Sequence, residues 1–470
     1  MSEAIDQPTQ EVVEGVQDAG GLGGHPRGLT TLFFTELWER FSYYGMRAIL
    51  VLYMVALPEQ GGLGFDTKRA ASIYGTYTMS VYLTALPGGL VADKWLGARL
   101  AVLLGGIVIA CGHFTMVFQS TTFLYAGMAL IAIGTGLLKP NISAMVGGLY
   151  RENDPRRDSG FSIFYMGINV GAVLAPLVCG YLAQGAGFKA FLAARGFSPA
   201  ASWHWGFGAA GVGMVLGLVV FVLQAGRLRQ AERRIQKQGG VVREGEAVEG
   251  AERLTSGDWK RIGAIFIFFL FTMLFWAAYE QKGASLNLFA RDLVRTEVFG
   301  WGFPSSWLQS LTPLYVIMLA PLFSVLWVRM GDRQPSSPAK FTLGLLFIGL
   351  AYLLFMTPAA WLTAGGKVSP LWLVGLYFLE VVGEMCLSPV GLSTVTKLSP
   401  AKLVGIMMGV WFLASSFGSK LAGYLSGFFV ADNPSTLVRL YGGIAVGLLI
   451  ATGILAALIP TLRRLMGRVR

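Results

Sequence analysis

Ionisable residues stand inside long apolar runs of this 470-residue chain, and their signs balance. They are five acids and five bases: Glu36, Glu39, Glu280, Glu380, Glu384, Arg40, Arg47, Lys139, Lys282 and Lys420. At about 2.5–3.5 kcal/mol per charge facing lipid at a membrane centre, the whole set unpaired would cost about 25–35 kcal/mol. That exceeds an ordinary folding free energy of about 5–15 kcal/mol. We therefore expect these groups to pair or to face water, where they can bind a charged ligand or carry protons.

Spacing brings several of these residues together near the start of the chain. At intervals of three or four residues, one helical face carries Glu36, Arg40, Tyr43, Tyr44 and Arg47. Glu39 lies about 100° away, on the flank of that face. Two interpretations are open for this group, ion pairs that only pack helices together or a water-filled site. For Lys282 and Lys420, snorkelling or local pairing explains the residue as well as a function does.

The elements that hold these charges must cross a membrane. The composition is 54% hydrophobic and 13% charged, and apolar runs such as Ile262–Ala278 and Leu437–Leu462 are long enough to span about 30 Å of hydrocarbon. About twelve spans of this kind account for the apolar fraction without a sizeable soluble domain. The chain is therefore predicted to be an all-α polytopic membrane protein.

The predicted spans fall into two sets of six. They lie near residues 29–56, 70–92, 98–119, 122–147, 158–185, 203–226, 259–280, 306–331, 341–358, 369–396, 402–428 and 436–462. The predicted organisation is a disordered tail (1–28), a six-helix bundle (29–226), a charged linker (227–258), a second six-helix bundle (259–462) and a basic tail (463–470). Even span numbers put both termini and the linker on one side of the membrane. Because Lys and Arg are concentrated in the loops of that side, it is predicted to be cytoplasmic.

A short motif repeats at equivalent turns of the two halves. The second span ends in Gly89-Leu-Val-Ala-Asp93-Lys94, followed by Gly97 and Arg99, and the eighth ends in Gly331-Asp332-Arg333. Such an echo is typical of duplicated halves that enclose a cavity. The formal charge of +11 is interpreted mainly as an insertion signal, so no nucleic-acid partner is expected.

Several classes of protein are disfavoured by motifs that the chain lacks. The sequence contains no His-Glu-x-x-His metalloprotease motif and no P-loop for ATP. Cys111, Cys179 and Cys386 stand singly, without metal-ligand spacing. We expect a protein that is not an enzyme, has no cofactor or metal, has no cleavable signal peptide, and is driven by an ion gradient or by its substrate gradient.

Several segments resemble one family, the proton-dependent oligopeptide transporters of the major facilitator superfamily. The most specific is Glu36-Leu-Trp-Glu39-Arg40-Phe-Ser-Tyr43-Tyr44-Gly45, which is similar to the ExxER motif of that family. Further matches are Gly134-Thr-Gly136-Leu-Leu-Lys139-Pro140-Asn141, Phe161–Gly171, Trp276–Gln281, Gly383–Pro389 and Met408–Phe412. The resemblance covers nearly the whole helical region and implies the major facilitator fold, with twelve transmembrane helices in two six-helix bundles.

The resemblance also implies roles for individual residues. It assigns the peptide carboxyl terminus to Arg40, Arg47 and Lys139, the peptide amino terminus to Asn169 and Glu384, and proton coupling to Glu36, Glu39 and Arg40. Side-chain pockets are assigned to Tyr43, Tyr44, Tyr82, Trp276, Trp411 and Ser415. A gating salt bridge is assigned to Arg47, Glu280 and in addition Lys139, and a cytoplasmic turn motif to Gly89, Asp93, Lys94, Gly97 and Arg99.

Three features depart from the family pattern. Gly75 stands where mammalian members carry a proton-linked histidine, so coupling is expected to run through carboxylates. Thr312 replaces a usual asparagine, which puts that amino-terminus contact in doubt. The segment 227–258 is too short and polar for the two extra helices of many bacterial members.

The expected function is proton-coupled symport of di- and tripeptides across the plasma membrane, in a bacterium the inner membrane, by a monomer whose direct partners are peptides, protons and the lipid bilayer. The alternative is the same fold carrying another small anion or a peptide-like compound, such as a nitrate-like or drug-like substrate, with proton coupling.

Overall fold

The computed structural model describes residues 18–151, 154–235, 254–298, 300–362, 366–400 and 403–467. The helices of the first half are α1 (Arg27–Val55), α2 (Thr67–Leu83), α3 (Ala85–Val91), α4 (Ala98–Thr115), α5 (Thr121–Gly148), α6 (Arg157–Gln184), α7 (Ala186–Ala194) and α8 (Ser202–Leu223). Those of the second half are α9 (Ser256–Tyr279), α10 (Ser285–Leu293), α11 (Leu311–Met330), α12 (Ser337–Trp361), α13 (Leu371–Leu398), α14 (Val404–Ser426) and α15 (Pro434–Met466). Strands β1 (Glu297–Val298) and β2 (Trp301–Gly302) form an antiparallel pair between α10 and α11.

Local signals in the sequence account for several helix starts. The Asp66 carboxylate accepts a hydrogen bond from the Arg69 backbone at the start of α2. Thr255 and Asp258 form a reciprocal capping box at the start of α9. These contacts satisfy backbone N–H groups that have no partner inside the helix.

Nine segments of the described chain are long and apolar enough to cross a membrane. Six of the predicted spans match α4, α5, α6, α12, α13 and α15. Three more match α8 and α11 with the short turns before them, and α9 with the turn and helix α10 after it. The remaining three predicted spans correspond to α1, to α2 with α3, and to α14. Helix α1 carries five acidic or basic residues, which lowers its apolar character. The protein is thus an all-α, multi-pass membrane protein with the twelve predicted spans.

The spans pack as two six-helix bundles. In the first bundle α1 packs against α6 and α8, and α4 packs against α5 and α8. In the second, α12 packs against α13 and α15, and α9 packs against α14 and α15. Buried apolar side chains fill both interiors, including Ile49 and Phe207 in the first bundle and Phe268 and Tyr352 in the second.

The two bundles meet along α2 with α14 and along α6 with α11. A β-carbon on Gly75 of α2 would lie 2.8 Å from the Gly423 α-carbon of α14, so the two backbones touch. Near them, the Ser416 hydroxyl donates to the Met79 carbonyl at 2.9 Å. At the end where α1 stops and α2 starts, Asn287 and Gln309 both donate to the Ala48 carbonyl. We call this end of the molecule the joined end.

The described part of the predicted tail is ordered by contacts with the first bundle. His25 is 5% exposed, and its Nδ1 lies 2.8 Å from the Tyr150 hydroxyl beyond α5. The short helices α7 and α10 and the β1–β2 pair lie in the connections between spans, and no pattern in the sequence predicts them. Residues 1–17 and 236–253 of the predicted tail and linker are outside the described residues.

Candidate functional site

One group of the predicted residues surrounds Arg40 in the middle of α1. The Arg40 guanidinium Nε lies 3.2 Å from a Glu36 carboxylate oxygen, and its Nη2 donates to Glu39 at 2.7 Å. A second hydrogen bond joins Arg40 Nε to Glu39, so that contact is bidentate. All three residues are buried, and one Glu36 oxygen has no hydrogen-bond partner among the described residues. Glu39 is therefore drawn into the site from the flank of the helix because the long Arg40 side chain reaches it.

A second pair joins the two bundles. Arg47, on the next turns of α1, donates to the Glu280 carboxylate in the turn after α9 and to the Tyr74 hydroxyl of α2. The guanidinium also lies 5.4 Å from the centroid of the Tyr74 ring. Both members of the ion pair are buried. Removing one member of such a pair leaves an uncompensated charge, so the contact ties the bundles together.

Lys139 lies in the first bundle, apart from that ion pair. Its ammonium is 4.5 Å from the centroid of the Tyr82 ring, a cation–π contact between α5 and α2. The charged groups that act on it electrostatically are Arg40, Glu36 and Glu39. Glu280 forms its ion pair with Arg47. Among the described residues, Lys139 does not take part in this pair.

The predicted amino-terminus residues lie on opposite bundles. Glu384 on α13 is buried and accepts a hydrogen bond from the Tyr279 hydroxyl of α9. Its charge also acts on Tyr44 and Tyr165 of the first bundle, so it faces across the interface. Asn169 on α6 is buried, and its amide donates to the Tyr165 carbonyl at 3.0 Å. Glu384 of the second bundle and the α6 residues of the first bundle thus face the same region between the bundles.

The predicted pocket aromatics fall into two groups. Tyr43 and Tyr44 pack edge to face, with ring centroids 5.1 Å apart, and the Tyr43 hydroxyl has no partner among the described residues. Trp276 packs edge to face on Tyr279, beside Glu384. Trp411, by contrast, is 6% exposed and packs on Phe341 inside the second bundle. For Ser415 the structure gives a half-buried position on α14.

The predicted turn motif runs from Gly89 near the end of α3 to Arg99 near the start of α4. Gly97 has a positive φ of 74°, which favours glycine, and Asp93 and Lys94 are exposed. Arg99 forms an ion pair at 3.6 Å with Glu232, in the segment after α8. This turn is therefore in contact with the start of the predicted linker.

Two departures from the family pattern have structural counterparts. Gly75 has no room for a side chain, because its neighbour is the Gly423 backbone. Thr312 is buried, with a hydroxyl that has no partner among the described residues.

Two tyrosines of the site were not singled out from the sequence. Tyr74 contacts Arg47, and Tyr279 contacts Glu384. Tyr74 precedes Gly75 and Tyr279 precedes Glu280 in the chain, and this adjacency to two predicted site positions is the signal that the sequence offers for them.

The arrangement places opposite charges on two bodies that touch. Arg40 and Lys139 belong to the first bundle, Glu384 belongs to the second, and the Arg47–Glu280 pair crosses between them. A small ligand with a carboxylate and an ammonium group could bridge the two bundles in this region. A ligand or proton that competes for one member of a buried pair shifts the balance between conformations.

Comparisons with known proteins identify the family of this chain. The model of the POT family matches residues 99–239 and 229–440. The chain is 39% identical to the uncharacterized transporter YclF of Bacillus subtilis, over 95% of this chain and 96% of that protein. It is 37% identical to the peptide transporter YePEPT of Yersinia enterocolitica, over 94% of this chain and 96% of that one.

A solved structure agrees over nearly the full length as well. The crystal structure of a mutant of the peptide transporter POT in complex with alafosfalin is similar with a TM-score of 0.84, at 39% identity, over 98% of this chain and 100% of that one. The chain therefore belongs to the POT family, the proton-dependent oligopeptide transporters.

Proposed function

We propose that this protein imports di- and tripeptides together with protons, by alternating access of a central site between the two bundles. The observation that carries the proposal is the division of charge, with Arg40 and Lys139 on one bundle and Glu384 on the other. Peptides of any side chain share one carboxylate and one ammonium group. A site that fixes these two groups accepts many sequences.

The peptide carboxylate is proposed to bind Arg40 and Lys139, with Arg47 nearby. A guanidinium can hold a carboxylate through two parallel hydrogen bonds, and the ammonium of Lys139 adds a second positive charge. The peptide ammonium is proposed to bind Glu384, with the Asn169 side chain beside it. Tyr43, Tyr44, Tyr82, Trp276, Trp411 and Ser415 are proposed to shape the side-chain pockets.

Proton coupling is proposed to use Glu36, Glu39 and Arg40. In the structure Arg40 contacts both carboxylates. When a peptide carboxylate binds Arg40, a buried glutamate loses its counter-ion. Its protonated, neutral form then becomes more favourable. Peptide binding and protonation of Glu36 or Glu39 then favour each other.

The Arg47–Glu280 pair is proposed to hold the outer gate. If the termini and the segment 227–258 are cytoplasmic, the joined end faces outside and the structure is closed to that side. The turn motif of Gly89, Asp93, Lys94, Gly97 and Arg99 then lies on the cytoplasmic side. We further propose a plasma-membrane location, with bundles 29–226 and 259–462 flanked by cytoplasmic tails 1–28 and 463–470, and a functional monomer without cofactor.

Uptake of dialanine into proteoliposomes with an imposed pH gradient tests the proposal. We expect uphill accumulation that depends on the gradient. Glu36→Gln and Glu39→Gln should abolish accumulation while exchange of peptide across the membrane continues. Accumulation that ignores the gradient would exclude symport, and full accumulation by both variants would place the proton elsewhere.

A further inference from the structure

Glu380 is a buried acid that the proposed function does not use. It lies on α13, one helical turn before Glu384, and it is 0% exposed. Neither of its carboxylate oxygens has a hydrogen-bond partner among the described residues. An ionised carboxylate without partners in such a place is costly, and a group of this kind is neutralised instead.

The titratable neighbours of Glu380 come from several elements. Tyr279 belongs to α9, Lys282 to the turn after α9, Tyr352 to α12, and Tyr377 and Glu384 to α13 itself. The Tyr352 hydroxyl lies close to Glu380, but its one proton is donated to the Ala278 carbonyl at 2.8 Å. The Tyr279 hydroxyl donates to Glu384 instead. The cation that acts on both acids is Lys282.

The charges of this group do not cancel. Lys282 supplies one positive charge, with its ammonium 3.3 Å from the centroid of the Tyr279 ring, against the two carboxylates of Glu380 and Glu384. The neighbouring Arg47–Glu280 pair is neutral as a unit and supplies no surplus. The group Lys282, Glu380 and Glu384 therefore carries one negative charge too many, unless it binds a proton or a cationic ligand.

We propose that Glu380 is a proton-binding site of the peptide-free transporter, and that the peptide ammonium group displaces this proton. With Glu380 protonated, Lys282 and Glu384 balance each other. When the ammonium reaches Glu384, it brings a positive charge, so Lys282 can balance an ionised Glu380 and the released proton passes to water in the site. The inference rests on the proposed peptide site at Glu384.

Infrared difference spectroscopy of the purified full-length protein tests this site. The carbonyl stretch of a protonated carboxyl group is measured for the peptide-free protein and for the protein saturated with dialanine. We expect the peptide-free wild type to show one such band more than Glu380→Gln does, and we expect dialanine to remove that band. Glu59→Gln, at an exposed acid between α1 and α2, is the control and should leave the spectrum of wild type.

A second variant keeps the test independent of how well Glu380→Gln folds. Lys282→Met leaves both acids without their cation, so its peptide-free spectrum should gain protonated carboxyl intensity over wild type. Equal spectra of wild type and Glu380→Gln, or a Glu380 band that persists with dialanine bound, would overturn the inference. Dialanine binding is followed separately by thermal stabilisation, and its absence would count against the proposed function while the peptide-free spectra still decide the proton site.

Discussion

At the scale of single residues, the site is built from long side chains that reach past their nearest helical neighbours. Adjacent residues on a helix do not face each other, yet Arg40 holds Glu39 bidentately as well as Glu36 one turn away. Arg47 combines an ion pair across the bundles with contacts to the tyrosine ring of the second span. Each arginine thus contacts several partners at once. Loss of one partner therefore changes the charge balance around the remaining ones.

The Arg47–Glu280 pair offers a direct test at this scale. Glu280→Gln leaves a buried arginine without its counter-ion, which typically costs about 3–5 kcal/mol. We expect the joined end to open at least about a hundredfold more often. A cysteine in place of the buried Ser306 of the interface, with Cys111, Cys179 and Cys386 replaced by alanine, should then react faster with a membrane-impermeant maleimide.

A matched control separates this effect from a general loss of charge. Asp292→Asn removes the partner of Arg291 in a half-exposed pair at 2.6 Å, where about 1 kcal/mol or less is expected. Equal labelling rates in Glu280→Gln and Asp292→Asn would contradict the assigned importance of the buried pair.

At the scale of elements, the segment before α1 is fastened to the connection between α5 and α6. His25 Nδ1 approaches the Tyr150 hydroxyl, and its Nε2 lies 3.2 Å from the Ser159 hydroxyl. Arg156 donates to the Gly24 carbonyl at 2.9 Å, and its hydrogen bonds to the Asp154 carboxylate lower the pKa of Asp154. These contacts lie outside the membrane spans, where the pH of the surrounding water acts directly.

This fastening should depend on pH through His25. Burial and the neighbouring Arg156 guanidinium lower the pKa of His25 below its usual value of about 6.5. The folded segment then binds fewer protons than the released one, so its stability is complete above about pH 6.5 and falls as the pH drops through the lowered pKa. Hydrogen exchange of residues 18–26, corrected for intrinsic rates, should quicken relative to the rest of the protein as the pH falls from 7.5 to 5.5.

The variant His25→Asn removes the titrating ring. Its exchange should be faster than that of wild type at pH 7.5, and it should change little between the two pH values. A wild-type segment whose corrected exchange is the same at both values would contradict the role of His25.

At the scale of the whole molecule, the sequence was informative where a pattern repeats or a motif is long. Apolar runs predict the spans, and the segment from Glu36 to Gly45 indicates the family by itself. Contacts between segments that are distant in the chain could not be predicted from such patterns. The role of Tyr74 depends on where α2 passes α1, and the burial of Trp411 against Phe341 depends on packing inside the second bundle.

The structure of the short connections between spans could not be predicted from sequence patterns either. Helix α10 is nine residues long, too short for a clear apolar period, and Asn287 within it donates to the Ala48 carbonyl at 2.8 Å. Residues 18–26 are rich in glycine, and their order comes from contacts with Tyr150 and Arg156, more than a hundred residues away. Local composition carries no information about such partners.

The contact of α2 with α14 allows a test of how the two bundles move relative to each other. If transport requires this junction to open and close, a covalent link across it should stop uptake. Met79→Cys with Ser416→Cys places a thiol on each of two residues that now touch, since the Ser416 hydroxyl donates to the Met79 backbone carbonyl at 2.9 Å, and a short thiol crosslinker should join them. The control pair Ala183→Cys with Ser202→Cys lies at a similar contact inside the first bundle, where the Ser202 hydroxyl donates to the Ala183 backbone carbonyl at 2.8 Å. In the background without native cysteines, we expect crosslinking to reduce proton-driven dialanine uptake at least about tenfold for the first pair, reversibly with a cleavable linker, and to spare the second. Uptake that survives complete crosslinking of α2 to α14 would show that the bundles do not separate there during transport.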